Sequence, residues 1–572
     1  HVVGGIACVL QSTADATAKL DGCTVSGKVT FATTYAASTQ KDEEMAVSPM
    51  VAQSFGAQIT NCQNNASITV TAASAPSQKN TYMCVAGIVG YATGIADLGI
   101  TPILTNCVNN ESATILWEEG TVSSAKHSPY IAGVVGRYLT SSGLSNCTNH
   151  ADVTVKSDIN VANIGGVCGY IYVNETSKLY NYGDVTLDAK TAYAYWGGVI
   201  GSCYTSTMSV TECENHGKVE FGANASCTHR NYIGGIIGTS QSSGATYSNL
   251  KNTGTIASYG SNNGCRFFTG GIIGYCWKVG ELSNSVNGVE GDATKGKIII
   301  KGTVGTTIAE NAAVYYPCIG GVVGNFYPGG GAYLLKGCTN YGPISFGFTT
   351  SGNQNFNLGG VAGYAQGAAS ENCHNYGAID CSELNNVGHK QLLIGGVIGF
   401  STKASNKCSN SGAITLGTEA DGRIQLGGVF GYQTSVTTNC SNSGAITINS
   451  AVGIANPSVT KVRGNSVANR SDFDLNNRSN VGGVIGKFYD TKGTVTLSTL
   501  KNTGDISFPQ ADSLNCAAIA GILGEATVVS ITITDSENEG NISGVPSGIT
   551  ALDKITSGWQ KSDLIIIAAR PA

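Results

Sequence analysis

A short glycine-rich string of the form [GA]-G-[VI]-x-G recurs thirteen times along this chain. The first begins at Gly4-Gly5-Ile6, and later copies include Gly165-Gly166-Val167, Gly320-Gly321-Val322-Val323-Gly324 and Gly395-Gly396-Val397-Ile398-Gly399. The last is Ala520-Gly521-Ile522-Leu523-Gly524. Most copies are followed, ten to twenty residues on, by a polar turn of the form N-C-x-N-x-G. A unit this short cannot bury its own apolar face and gains a core only by stacking on its neighbours, which is the condition for a solenoid. Ordinary domain sizes would divide 572 residues into three or four units, whereas a stack can be one long domain.

Most steps from one string to the next are 32 to 39 residues. The first step, of 82 residues, holds two polar turns, at Cys23 and Cys62, so one glycine string has degenerated there. Longer steps place insertions near 31–56, 291–313 and 451–480, in stretches rich in Asn, Ser, Thr and Lys that suit surface loops. Each module offers three β-like pieces: the run through the string, a piece leading into the polar turn, and a piece after it such as Ala413-Ile414-Thr415-Leu416. Apolar β-branched residues alternate with small polar ones and helical periodicity is absent. The expected fold is an all-β, right-handed parallel β-helix of about 13–14 rungs, one repeat per rung, spanning 1–542. Residues 543–572 leave the pattern and are read as a capping or assembly segment. Glycine in the N-x-G turn would supply positive φ, the glycine pair would let successive coils approach, and the turn asparagines would stack into a ladder.

Nine of the 19 cysteines share one slot, two residues before the turn Asn: Cys23, Cys62, Cys107, Cys147, Cys213, Cys338, Cys373, Cys408 and Cys440. Other modules put Leu179, Leu250, Ser285, Leu500 or Ser536 there. A slot that accepts Cys, Leu or Ser is a small buried position, so a reduced, stacked column is expected rather than a disulfide framework. Cys227 and Cys265, before the strings of neighbouring modules, are the expected bridged exception. The pairs Cys147-x-x-His150 and Cys213-x-x-His216 have zinc-like spacing, but three residues apart on a strand point to opposite faces, so no metal site is expected.

Charged residues make up 12% of the chain and the net charge is −5, which argues against a nucleic-acid partner. No apolar run reaches the length of a membrane span. No phosphate loop, dinucleotide fingerprint or nucleophile elbow is present, so no cofactor is expected. Two groups of side chains remain as candidates. Asp152, Asp184 and Lys218 hold one slot after the polar turn in three consecutive modules, where stacking would bring two carboxylates to about 5 Å, near the spacing of a retaining glycosidase. The same slot reads Thr255, Pro343, Ala378, Ala413 and Ala445 elsewhere, which suits a solvated strand edge. Aromatic residues follow the string at Tyr91, Tyr170, Tyr275, Tyr364, Phe400 and Tyr432, and occupy the turn at Tyr182, Tyr341 and Tyr376 beside His150 and His216. Tyr341, Tyr376, Tyr364 and Tyr432 are the candidate ligand contacts if those columns face solvent.

Strings such as Val481-Gly482-Gly483-Val484-Ile485-Gly486 with turns such as Asn439-Cys440-Ser441-Asn442-Ser443-Gly444 resemble the GLUG-motif repeats of bacterial surface proteins, in a Cys-bearing version similar to that of gut Bacteroidota. The resemblance covers Val3 to about Gly544 and implies a secreted or cell-surface solenoid without catalytic residues. On that basis the expected function is non-enzymatic and extracellular, an adhesin stalk or surface-fibre subunit. The alternative is a carbohydrate-binding or carbohydrate-active β-helix. Expected partners are further copies stacked head to tail on the uncapped first rung, or surface glycans and proteins.

Overall fold

The computed structural model describes residues 2–33, 44–72, 81–118, 127–140, 143–205, 207–305, 317–327, 333–351, 355–387, 391–417, 424–449, 479–509 and 517–543. They form an all-β parallel solenoid. Strands Val2–Gly4, Glu44–Ser48, Thr81–Ala86 and His127–Ala132 begin a line of in-register parallel pairings that runs rung by rung to Ala517–Ala520. That line passes through fourteen rungs among the described residues. At the ~4.8 Å spacing of hydrogen-bonded strands the stack is roughly 60 Å long.

The second rung contains the string that the sequence pattern lacks. Gly4 is in register with Ser48 and Ala7 with Val51, so Ser48-Pro49-Met50 replaces a glycine string. The Gly5 amide donates to Ser48 O and the Ile6 amide to Met50 O, which keeps the stacking bonds of the other rungs.

The rungs break into four to six short strands rather than three, as in the five strands Gln391–Gly395, Ile398–Ser401, Ser405–Asn406, Ser409–Asn410 and Ile414–Leu416. One break is the bend at the glycine pair. Another is a left-handed residue just before the cysteine slot: Asn61, Asn106, Asn146, Asn249, Asn284, Asn372 and Asn439 all have φ between 48° and 56°. Asn tolerates this region better than other L-residues, which accounts for the first Asn of the N-C-x-N-x-G turn.

The turn glycine has a different task from the one expected. Its φ is not in the left-handed region; instead it lies so close to the rung before it that a Cβ on Gly412 would sit 2.0 Å from Gly377 O. Close approach, not positive φ, requires glycine there.

The glycine pair also divides the interior. Ile394, before the pair, belongs to one apolar cluster with Ile414, Leu416 and Leu426. Val397 and Ile398, after it, belong to a second with Cys373, Cys408 and Cys440. Between the two lobes the backbone of Gly396 rests on the side chain of Asn410, 2.5 Å from where its Cβ would be. At Gly396 the waist is therefore too narrow for a side chain opposite the asparagine.

Down that waist run Asn64, Asn109, Asn149, Asn181, Asn215, Asn252, Asn287, Asn340, Asn375, Asn410, Asn442, Asn502 and Asn538. Each Nδ2 donates to the Oδ1 of the next at 2.7–2.8 Å. The second Nδ2 proton goes to a carbonyl of the same turn, as from Asn410 to Gly412 O at 2.9 Å. A buried carboxamide is costly unless its donors and acceptor are satisfied, and the repeat satisfies them in each rung from Asn109 to Asn502.

The cysteine slots stack as a reduced column, and all the described cysteines are free. Cys227 and Cys265, expected as a bridge, are free and buried as well; each thiol donates instead to a carbonyl, Ala192 O at 3.3 Å and Asn262 O at 3.4 Å. In the column a thiol's single proton is shared between the carbonyl two residues back and one of the preceding rung, as for Cys373 with Glu371 O and Leu335 O. Ser285 and Ser536 make the same local bond, to Ser283 O and Thr534 O, which explains why Ser substitutes for Cys.

Candidate functional site

The carboxylates singled out from the sequence serve the backbone. Asp152 Oδ1 accepts the Asp184 amide at 2.8 Å, and Asp184 Oδ1 accepts the Lys218 amide at 2.8 Å. Each carboxylate thus caps an amide of the next rung, as Asp158 does for Lys190 and Asp505 for Asn541. The Lys218 ammonium turns to Glu220 at 2.7 Å, a contact that raises its pKa. Stacking does bring the three residues together, and each side chain has a partner that holds the coil.

The turn aromatics stack face to face. His150, Tyr182 and His216 lie at centroid distances of 4.8 and 4.6 Å with planes within 12° of parallel, and Tyr341 and Tyr376 at 5.0 Å and 14°. Cys147 and Cys213 are buried beneath, while His216 bonds outward to Glu214 and Thr253. No cluster of metal-ligating side chains occurs among the described residues.

The slot after the glycine string forms one register line. Tyr91, Arg137 and Tyr170 are successive members, with the guanidinium 5.9 and 5.5 Å from the two ring centroids. Further along, Tyr364, Phe400 and Tyr432 stack at 4.8 and 5.2 Å. Because the rings cover one another's faces, only their edges point outward.

That line continues in two charged residues that reading for aromatics alone passed over. Tyr432 is in register with Lys487, and Lys487 with Glu525. The two pair at 3.5 Å with side chains only 11% and 9% exposed. Their signal in the sequence was the same slot, directly after Gly486 and Gly524, filled by opposite charges in consecutive modules. Beside them a cavity of about 300 Å³ is lined by Asn355, Gln391, Leu393, Phe400, Tyr432, Lys487 and Tyr489. It offers carboxamides, ring edges and one paired ammonium. No nucleophile or free acid/base pair lines it.

Comparison with known proteins draws attention to the far end of the chain. Residues 544–572 match the DnaB-like helicase C terminal domain family. The replicative DNA helicase DnaB of Geobacillus stearothermophilus is 62% identical over 34 residues, 6% of this chain and 8% of that protein. DnaB of Rhodothermus marinus is 67% identical over 33 residues, 6% of this chain and 4% of the relative. The replicative DNA helicase DnaC of Bacillus subtilis (strain 168) is 56% identical over 34 residues, again 6% and 8%. The chain therefore spans less than a tenth of the length of these relatives. No solved structure matches it.

These matches correct the functional expectations drawn from the repeats. The family they return is a helicase family, not the GLUG repeats. They overturn the extracellular structural role and its carbohydrate alternative, the reading as a non-enzyme, and the placement at the cell surface. They also overturn the exclusion of nucleic acid as a partner, and with it the assignment of surface glycans or stacked copies. The physical reason is that a solenoid fixes a fold without fixing a function, and the repeats say nothing about the 29 residues after Ser543. The formal charge misled in the same way, being set by the solenoid. The matched segment itself carries Lys554, Lys561 and Arg570 against Asp553 and Asp563. Of the segment 543–572, expected as a cap or assembly segment, all but Ser543 lies outside the described residues. Among the described residues no helix is long and apolar enough to cross a membrane.

Proposed function

We propose that this chain joins a rigid β-solenoid to a DnaB-like helicase segment, and that the protein bearing it works on DNA inside the cell as a replicative-helicase-type enzyme. The observation that carries this reading is 62–67% identity over 33–34 residues to replicative DNA helicases. The solenoid contributes no catalytic group to it. Its part is mechanical: a stiff arm built from many small contacts between rungs, each contacting only its neighbours.

The test is to isolate the solenoid-bearing polypeptide from its source cells with antibodies raised against residues 127–305 and supply it with ATP and a forked DNA duplex. Strand separation that co-purifies with the solenoid is the expected result. A preparation shown by mass spectrometry to contain 544–572, yet unable to bind or separate the fork, overturns the reading.

A further inference from the structure

The last described rung, 517–543, is built like the others and finished differently. In the rung before it Val481, Ile485 and Leu497 are fully buried. The residues in register with them, Ile519, Leu523 and Ile533, are all partly exposed, with Ile533 at 46% and the nearby Val529 at 70%. The backbone shows the same asymmetry. Gly483, Val484 and Ile485 donate their amides to Ala520 O and Ile522 O of the last rung. Gly521, Ile522 and Leu523 hold the same positions one rung on, and among the described residues no carbonyl stands opposite them. An apolar cross-section bordered by open amides is a surface that must be covered or will pair with another chain.

We infer that this face is the docking surface for residues 544–572 of the same chain. The described residues end at Ser543 in the last rung, and the helicase-like match begins at the next residue, Gly544, so the segment starts beside the open rung. The segment has the chemistry the face requires: Val545, Ile549, Leu552, Ile555 and Trp559, then the unbroken apolar run Leu564-Ile565-Ile566-Ile567. A run of that kind in extended form supplies both side chains for the exposed isoleucines and valine and carbonyls for the open amides. This docking depends on what the face exposes and does not require the helicase reading.

Hydrogen exchange read by mass spectrometry tests it, on the full chain and on the chain ended after Ser543. The expected result is at least tenfold faster exchange over 521–534 in the shortened chain, with exchange over Gln391–Ser401 unchanged. A second variant guards against misfolding of the shortened chain: the full chain carrying V529E and I533E, with its circular dichroism retained, should show the same acceleration and a red-shifted Trp559 emission. Equal exchange at 521–534 in all three proteins overturns the inference. So does protection in the full chain that grows with protein concentration, which would make a second copy the occupant. Strand-separation activity is a separate readout, so failure of docking and failure of the proposed function are distinguishable.

Discussion

Replacing Asn410 by alanine removes one link from the middle of the asparagine ladder, and the cost can be worked from its contacts. The side chain donates to Gly412 O at 2.9 Å and to Asn442 Oδ1 at 2.8 Å, and accepts from Asn375 Nδ2 at 2.8 Å. Three buried bonds at about 1 kcal/mol net each come to about 3 kcal/mol. Asn442 Oδ1 is then left buried without its donor, which adds about 1 kcal/mol or more. Asn375 keeps its bond to Gly377 O at 2.9 Å, so its own loss is partial. The expected destabilisation is about 4 kcal/mol, equivalent to two to three powers of ten in the local opening constant. Each rung contacts only its neighbours, so the effect is local and is best read by native-state hydrogen exchange at the Ser411 amide, which donates to Asn375 O at 2.8 Å. Ser382→Ala, at an exposed position outside this turn, is the control and should change exchange by less than threefold. Asn410→Asp should be at least as damaging as Asn410→Ala, because a carboxylate cannot donate down the chain and its charge would be buried. If Asn410→Ala exchanges within a factor of five of the control, the ladder is not what holds the waist.

Three further outcomes follow from other features. Gly412→Ala should cost about 2–3 kcal/mol in chemical denaturation, because its Cβ meets Gly377 O at 2.0 Å, whereas Gly493→Ala, with nothing within 4 Å, should be neutral. Lys487→Met should destabilise by about 3 kcal/mol by leaving Glu525 buried without its cation, and adding Glu525→Leu should restore most of that; a double variant no better than the single one refutes the pairing. Burial pushes the Cys213 and Cys338 thiols up to about 12, from 9.0. They stay protonated in the fold and ionise in the unfolded chain, so their contribution is complete below pH 9 and is lost as pH rises through 12. Urea midpoints that do not fall across that range contradict it, as does rapid alkylation of either thiol in the native protein, where Cys8 is exposed and should react first.

Periodicity carried the architecture because every rung repeats the same contacts. The string, the turn and the cysteine slot are each required by a neighbour one rung away, so their spacing is visible without any structure. Features that depend on a single rung were harder to see. Ser48-Pro49-Met50 keeps the backbone bonds of a glycine string with none of its letters. The role of Gly412 was misjudged because a left-handed turn and a close approach both select glycine, and only the Gly377 carbonyl opposite it distinguishes them. Cys227 and Cys265 share a neighbourhood that suits a bridge, yet each thiol has a carbonyl within reach. Lys487 and Glu525 fell outside a search for rings although they stand in the same register line. Residues 544–572 carry no repeat at all, so their kinship is legible only in residue identity with helicases, a signal to which periodicity is blind.

Electron cryomicroscopy of the full chain tests the central claim most directly. The account predicts one uninterrupted rod of fourteen rungs at ~4.8 Å spacing, roughly 60 Å long, two-lobed in section, with continuous side-chain density along the waist from Asn64 to Asn538. Two or more separately oriented bodies, or a waist in which the density breaks between rungs, would contradict it.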